Sequence, residues 1–263
     1  MIPKKIHFIW FRNPKPSGKQ WSLVHFLAVK SAAMMNPEYE IFLHNDTEFV
    51  DNHWWEETKK YAKIVKATPR EEIHGNKIEH IAHKADVYRI ELLIREGGIY
   101  VDADSLTVKP FDDLLGNKLV MGYGRAESAK NHKYILNGVI LAQPDSRFLK
   151  TWLETYRTFD RQWDYHSCQV PFMLHKEMPE EITVLSWKAF FYPQYTKKQA
   201  AMLFSEVHNF PEAYVIQLWE SLLWKHVKDL TVEAIMSQDT TYNLLARQFL
   251  SDDKVNPQNK SLF

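Results

Sequence analysis

The segment from His83 to Leu115 constrains the fold of this chain most strongly, because a helix, a glycine turn and an acidic strand follow one another within it. Apolar residues recur at helical spacing as far as Ile94, and Gly97-Gly98 then supplies two residues that accept positive φ, as helix ends often require. The next residues, Ile99-Tyr100-Val101, are β-branched and aromatic. The segment therefore predicts a helix that leads directly into a short buried strand.

Two aspartates, Asp102 and Asp104, follow this strand. In an extended chain, residues two apart point to the same face, so both carboxylates are expected on one side. Like charges at the end of a buried strand are costly without a cation or hydrogen-bond donors. Oxygen ligands suit Mn²⁺ or Mg²⁺, and Mg²⁺ keeps positions open for substrate phosphates. The pattern predicts a divalent cation and a diphosphate ligand, whereas a bare D-x-D tripeptide is more often a solvated turn.

Composition excludes several classes of protein. Apolar residues make up 45% of the 263 residues and aromatic residues 14%, which predicts a compact globule rather than a disordered chain. The 33 basic residues balance the 33 acidic ones, so no basic surface for nucleic acid is expected. Basic residues around the first predicted strand are interpreted as solvated loop charges rather than phosphate contacts: Lys4, Lys5, Arg12, Lys15 and Lys19.

The single cysteine, Cys168, excludes an internal disulfide framework and favours a reducing compartment. The first residues lack the apolar run of a secretion signal, and no stretch reaches membrane-spanning length. A cytoplasmic protein is therefore expected, with peripheral membrane association through a lipid-linked acceptor left open.

Hydrophobic periodicity predicts strands that alternate with helices through the first hundred residues. Strands are predicted at 6–11, 39–44, 98–104, 119–123, 135–143, 182–187 and 213–219. Helices are predicted at 18–35, 52–66, 76–96, 145–156, 165–178, 196–206 and 240–250. Such alternation is typical of an α/β fold with a mostly parallel sheet covered on both faces, and ligands of such sheets bind at the carboxyl ends of strands. A single domain over 1–263 is the simplest division.

Three blocks of the sequence resemble glycosyltransferase family 32, the sugar-binding D-x-D family that includes the yeast initiating mannosyltransferase, α-1,4-galactosyltransferases and bacterial capsular polysaccharide enzymes. The first block is IPKKIHFIWF with NPEYEIFLHND, and the second is KADVYRIELLIREGGIYVDADSLTVKPFDDLL. The third is AFFYPQYTKKQ followed by AYVIQLWESLLW. The chain is also distantly similar to the clostridial glucosylating toxins.

The resemblance implies a GT-A fold, a Rossmann-like sheet flanked by helices with a helical carboxyl-terminal lobe. Residues 1–145 would form the nucleotide-sugar and metal-binding core and residues 146–263 the acceptor and closing lobe. It also implies retaining transfer of a hexose, with Mn²⁺ or Mg²⁺, from a nucleotide-sugar (a UDP-sugar or GDP-mannose) to a polysaccharide or glycolipid. The alternatives are a toxin-like effector that glycosylates a protein, a sugar-binding homologue without activity, and a phosphate-metal hydrolase.

The resemblance assigns roles to individual residues. The implied catalytic residues are Asp102, Asp104 and Asn137. The implied donor-binding residues are Trp10, Asp86, Arg89, Tyr100, Asp102, Trp219, Ser221 and Trp224. The implied metal ligands are Asp102, Asp104, Gln217 and Glu220. On the residues alone, Trp10 fits a core tryptophan, Asp86 and Arg89 a helix-surface ion pair, and Asn137 a turn at a strand end.

One position departs from the family pattern. Many relatives carry His-x-Trp where this chain has Gln217-Leu218-Trp219, and glutamine offers a weaker, neutral oxygen ligand. Glu220, Ser221 and Trp224 loosely resemble the arrangement in the toxins. His208 and His226 are further candidates for completing the metal shell, although a lone histidine is more often structural.

Overall fold

The computed structural model describes residues 1–12, 19–124 and 134–251. Its strands are β1 (Lys5–Trp10), β2 (Glu40–Asn45), β3 (Lys63–Lys66), β4 (Glu72–Ile73), β5 (Asn76–Lys77), β6 (Gly98–Val101), β7 (Ser105–Thr107), β8 (Leu119–Tyr123), β9 (Ile135–Ala142), β10 (Thr183–Leu185) and β11 (Val215–Gln217). Its α-helices are α1 (Leu23–Met35), α2 (His53–Thr58), α3 (Ile81–Glu96), α4 (Arg147–Glu154), α5 (Val170–Glu177), α6 (Trp187–Phe190), α7 (Lys197–Ala201), α8 (Glu220–Val227), α9 (Val232–Ser237) and α10 (Thr241–Arg247).

Seven strands form the central sheet in the order β10-β8-β9-β6-β1-β2-β3. β9 runs antiparallel to both of its neighbours, and the other pairs are parallel. Short antiparallel pairs, β7 with β11 and β4 with β5, lie outside it. The prediction of an α/β fold with a mostly parallel sheet is confirmed. Because β1 and β6 are parallel neighbours, their carboxyl ends lie side by side. The residues that follow the two strands therefore meet at the same end of the sheet, which is called the sheet edge below.

Helices cover both faces of this sheet. On one face, side chains of β1 and β6 pack with α1 in a core that includes Ile6, Phe8, Ile99, Val101, Ala28 and Val29. On the other face, β6 and β9 pack with α3 and α4 in a core that includes Tyr100, Ile140, Val87, Ile90, Leu93 and Trp152. A third core joins α1 to the carboxyl-terminal helices and includes Leu23, Leu27, Leu223, Ile235 and Tyr242. Burial on both faces explains why β6 reads as a continuous apolar run.

The predicted glycine stop is confirmed at the end of α3. Gly97 and Gly98 have φ of 64° and 102°, a region that side chains with a Cβ rarely adopt. A Cβ on Gly98 would also lie 2.8 Å from the Lys5 carbonyl oxygen of β1. The two glycines therefore allow the chain to leave the helix and enter the sheet within two residues.

Several predicted boundaries are wrong. The helix expected at 52–66 ends at Thr58, and Lys63–Lys66 instead extends the edge of the sheet by pairing with β2. The helix expected from 76 begins at Ile81, after the β4–β5 hairpin. The strand expected at 98–104 ends at Val101, so the two aspartates lie in a connection rather than in a strand. The strand β7 and the helices α6, α8 and α9 were not predicted. Pairing with distant strands decides the short strands β3 and β7, and local pattern does not reveal it.

The helix predicted from residue 18 begins at Leu23 with Ser22 as its N-cap, and Gly18 lies outside the described residues. Within the described part of the chain, no helix has the length and apolar character needed to cross a membrane.

A buried histidine pair links the neighbouring strands β1 and β2. His7 Nδ1 lies 3.1 Å from His44 Nε2, His7 Nε2 lies 3.1 Å from the Gly97 carbonyl oxygen, and His44 Nδ1 lies 3.1 Å from the Tyr88 hydroxyl. One set of neutral tautomers satisfies all three contacts, with Tyr88 donating to His44, His44 to His7, and His7 to Gly97. Burial lowers the pKa of His7 to about 4 and that of His44 to about 3.

We expect this pair to make the fold acid-sensitive. Below pH 6.5 the unfolded chain binds protons on both histidines and the folded chain does not, so stability falls as pH falls. The pair should cost about 3–4 kcal/mol of unfolding free energy between pH 7 and pH 5. Denaturant unfolding of a His44→Gln variant should show roughly half of that loss. The exposed His53 gives a control, since His53→Gln should keep the full loss. Equal losses in all three proteins would contradict the assignment.

Candidate active site

The two aspartates lie at the sheet edge where β1 and β6 end. The Asp102 backbone N–H donates to the Gly138 carbonyl oxygen at 2.9 Å, and the Asp104 carbonyl oxygen accepts from the Leu218 N–H at 2.9 Å. β7 then pairs with β11, which sets Gln217 opposite Ser105. The connection between β6 and β7 is thus fixed at both ends, and β11 brings a distant residue onto it.

Gln217 bridges the two carboxylates. Its Nε2 lies 3.3 Å from Asp102 Oδ2 and 3.0 Å from Asp104 Oδ1, and it donates to both. Asp104 Oδ2 accepts a further hydrogen bond of 2.8 Å from the Glu220 backbone N–H. Trp219, with φ of 55° and ψ of 53°, turns the chain so that this N–H faces the site. A left-handed conformation is costly for a tryptophan, so the surrounding structure must hold it in place.

The proximity of the carboxylates changes their acidity. Burial raises the pKa of Asp104 to about 8, and the charges of Asp102 and Glu220 add to the effect. Burial also raises the pKa of Asp102, whose side chain remains 28% exposed, although Arg89 and Tyr100 oppose the shift. Two carboxylates that resist ionisation together are a typical environment for a cation.

The residues present fit a divalent cation. The described residues contain no cluster of three or more His, Cys, Asp or Glu side chains placed to hold a metal, so the donor set is two aspartates and an amide. The Gln217 Oε1 atom is buried and has no hydrogen-bond partner, whereas Nε2 of the same amide contacts both aspartates. An amide oxygen and two carboxylates are hard ligands of the kind that Mg²⁺ and Mn²⁺ prefer.

Four residues predicted from the resemblance surround Asp102. Tyr100 donates its hydroxyl to Asp102 Oδ1 at 2.6 Å, and the Arg89 guanidinium lies 4.2 Å from the centre of the Tyr100 ring. Arg89 Nη1 donates to the Asn137 carbonyl oxygen at 2.8 Å and lies 3.4 Å from Asp102 Oδ1. Asn137 Nδ2 donates to Asp86 Oδ1 at 2.8 Å, and Arg89 Nη2 lies 3.2 Å from the same oxygen. The structure thus brings Asp86, Arg89, Tyr100 and Asn137 together beside Asp102.

Glu220 connects the aspartates to the end of β1. Its side chain is 7% exposed, its Oε1 lies 3.4 Å from His25 Nε2, and its Oε2 pairs with Lys19. Burial alone would raise the pKa of Glu220, but His25 and Lys19 lower it below its usual value. Only the backbone of Glu220 bonds Asp104, so its role as a metal ligand stays a prediction. Trp10 packs edge-on against His25 with ring centroids 4.3 Å apart, and its buried Nε1 has no partner.

The remaining predicted donor residues lie around the start of α8. The Trp219 indole donates to the Pro193 carbonyl oxygen at 2.7 Å and packs against Tyr195. Ser221 is exposed, and Trp224 is 40% exposed with the Lys19 Nζ atom 5.3 Å from its ring centre. The two further histidine candidates are engaged elsewhere, since His208 pairs with Glu206 and His226 stacks on Phe204.

Three residues of the site were missed. The sequence predicts a solvated loop charge at Lys19, but the structure pairs it with the buried Glu220; Lys15 lies outside the described residues. His25 sits within α1 and carries no local signal of a role. Gly138 was also missed, and a Cβ there would lie 2.6 Å from Asp102 Oδ2. An isolated glycine inside a predicted strand is a signal of close approach, so Gly138 could have been found from the sequence.

Comparisons with known proteins agree with this geometry. Residues 24–121 match the family described as glycosyltransferase sugar-binding region containing DXD motif. Glucan organizing enzyme 1 of Cryptococcus neoformans var. grubii serotype A (strain H99) is 31% identical over 261 residues, which cover 95% of this chain and 71% of that protein. The chain belongs to this family of D-x-D glycosyltransferases.

Solved glycosyltransferases share the fold. The bifunctional glycosyltransferase WbbM aligns with a TM-score of 0.55 and 9% identity, over 99% of this chain and 51% of that one. The galactosyltransferase LgtC, crystallised with donor and acceptor sugar analogs, aligns with a TM-score of 0.50 and 14% identity, over 97% and 99%. The predicted GT-A architecture is confirmed, and the protein is a glycosyltransferase.

Proposed function

We propose that this enzyme moves a hexose from a nucleotide-sugar to a carbohydrate hydroxyl, with retention of configuration and a divalent cation at Asp102 and Asp104. The observation that carries the proposal is the amide of Gln217, which bridges the two carboxylates through Nε2 while its buried oxygen has no partner. Turning the amide over would point that oxygen, in place of Nε2, at the two aspartates, and these three groups would then hold Mn²⁺ or Mg²⁺. When bound, the cation would offset the negative charge that develops on the departing diphosphate.

The residues around Asp102 would orient the donor. Asp86, Arg89 and Asn137 form a hydrogen-bonded group at the face of the sheet edge where the transferred sugar is expected. Tyr100 holds Asp102 through its hydroxyl, which fixes one carboxylate oxygen and leaves the other toward Gln217. Trp10 would stack on the base, and Trp219, Ser221 and Trp224 would close the donor site from α8.

Retention is proposed to occur by attack on the face that the leaving diphosphate vacates, with a phosphate oxygen taking the proton of the acceptor hydroxyl. The hydrogen bonding of Asp86, the carboxylate beside the expected position of the sugar, supports this route. Asp86 accepts a hydrogen bond from Asn137 and lies 3.2 Å from Arg89, so these partners occupy it as a structural acceptor rather than leaving it as a nucleophile. Trapping a glycosyl-enzyme adduct on Asp86 would contradict the route.

The acceptor is proposed to be a polysaccharide or glycolipid. The fungal relative that aligns over most of this chain bears the name glucan organizing enzyme 1, which favours a polysaccharide. A protein acceptor, as in the toxins that the sequence resembles, is the competing candidate.

The proposal is tested first on the donor. We expect Mn²⁺-dependent release of nucleotide from one member of a panel of UDP-glucose, UDP-galactose, UDP-GlcNAc, UDP-GalNAc and GDP-mannose, measured with and without EDTA. The released sugar should keep its anomeric configuration by NMR, and oligosaccharides added as acceptors should divert it from water. Metal-dependent release that no acceptor can divert would favour a hydrolase. No binding of any donor by the folded protein would contradict the proposed function.

A further inference from the structure

Lys19 places an ammonium group at the rim of the candidate active site. It precedes α1, and its Nζ contacts the Glu220 carboxylate and lies 5.3 Å from the centre of the Trp224 ring. Glu220 in turn donates its backbone N–H to Asp104 Oδ2 at 2.8 Å. Glu220 therefore links the Lys19 ammonium directly to Asp104, one of the two carboxylates proposed to hold the cation. Its side chain is 41% exposed, so a ligand can reach it.

The charges around the aspartates call for a further cation when a diphosphate binds. Four carboxylates and two cationic side chains form this group: Asp86, Asp102, Asp104, Glu220, Arg89 and Lys19. A single divalent cation balances the formal excess of negative charge. A diphosphate then brings new negative charge, which a cationic side chain with an unused donor must meet for tight binding.

Arg89 is poorly placed to meet that charge. It is buried, and its guanidinium already contacts Asp86, Asp102, the Ala85 carbonyl oxygen and the Asn137 carbonyl oxygen. Lys19 carries three donors on a flexible chain and is half exposed. If Lys19 turned toward a ligand, Glu220 Oε1 would still lie 3.4 Å from His25 Nε2, a buried ring nitrogen that makes no other hydrogen bond.

We propose that Lys19 binds the diphosphate of the nucleotide-sugar, a role that rests on the proposed function. In the free protein the buried Glu220 holds the ammonium beside Asp104. In the donor complex the ammonium contacts a phosphate oxygen and stabilises the charge of the leaving diphosphate as the bond to the sugar breaks. Lys19 thus acts on the leaving group, and the bridged aspartates act through the cation.

The test is calorimetric binding of inorganic pyrophosphate with Mn²⁺, which requires neither the right base nor the right sugar. Lys19→Met should weaken binding by about 10- to 100-fold, as expected for loss of a charge-assisted hydrogen bond. Lys19→Arg should restore most of the affinity. Lys4 is a matched control, because it is 43% exposed and pairs with Glu38 at 2.7 Å. It precedes β1 and so lies at the amino end of that strand, whereas the candidate site lies at the carboxyl end. Lys4→Met should bind like wild type.

A second readout separates ligand contact from support of the site. The affinity for Mn²⁺ alone should not fall in Lys19→Met, because the ammonium is not a metal ligand. Equal losses of Mn²⁺ and pyrophosphate affinity would overturn the inference, since Lys19 would then only position Glu220. Pyrophosphate binding within twofold of wild type would overturn it as well. Wild-type protein that binds neither pyrophosphate nor any nucleoside diphosphate with Mn²⁺ would overturn the proposed function itself.

Discussion

Replacing Asp104 with asparagine is expected to lower kcat/KM for the donor by at least about 10³-fold, because it removes a carboxylate proposed to hold the cation. The stability of the folded protein should not fall. Burial and the charge of Asp102 raise the pKa of Asp104 to about 8, so a neutral asparagine removes the cost of burying this ionisable group while keeping the side-chain shape. We expect a melting temperature equal to or above that of wild type. Asp113→Asn changes an exposed acid and serves as the control.

The same pKa predicts how cation binding depends on pH. Below about pH 8 the Asp104 carboxyl holds a proton that a cation must displace, so the apparent Mn²⁺ affinity should rise with pH and level off above that value. Calorimetry in buffers of different ionisation enthalpy should detect release of about one proton per Mn²⁺ at pH 7. Asp104→Asn should release none. Full activity in this variant, or proton release unchanged, would contradict the assignment of Asp104 to the cation.

The sequence predicts the elements that are decided locally. The β6 segment, Ile99-Tyr100-Val101, is apolar throughout because both of its faces are buried, and the preceding glycines end α3 as expected. By contrast, Lys63–Lys66 has only the β-branched pair Ile64-Val65 to indicate a strand. Whether this segment forms a strand depends on its pairing with β2, and the helical pattern of the preceding residues hides the strand signal.

The site divides in the same way. Asp102 and Asp104 were found from their place after a buried strand, and Asp86 and Arg89 from the resemblance together with their spacing on one helix. The prediction for Lys19 is wrong because its partner, Glu220, lies 201 residues away and no local pattern marks the contact. The contact between Gln217 and Asp104, which lie 113 residues apart in the sequence, likewise depends on the pairing of β11 with β7. Residues joined only by tertiary contact carry no local signal, and the family resemblance marks some of them, such as Gln217, but not Lys19.

Gly138 offers the sharpest test of the site's geometry, because a single methyl group at this position meets a proposed cation ligand. In Gly138→Ala the new Cβ would lie 2.6 Å from Asp102 Oδ2 and 3.2 Å from Phe191 Cε1. Phe191 is buried and packs against Phe190 and Trp219, so it cannot yield easily. The Asp102 carboxylate, which is partly exposed, must move instead. A displacement on the order of 1 Å should lower kcat by about 10²-fold.

The matched control is Gly116→Ala, because a Cβ at Gly116 would meet nothing within 4 Å and should change neither activity nor stability. Gly138→Ala is expected to lose about 1–3 kcal/mol of unfolding free energy by overpacking. A general loss of structure would lower stability and activity together and leave the Mn²⁺ affinity of the remaining folded protein unchanged. Displacement of Asp102 predicts weaker Mn²⁺ binding in fully folded protein. Wild-type activity in Gly138→Ala would show that the position of Asp102 beside Gly138 is not needed for transfer.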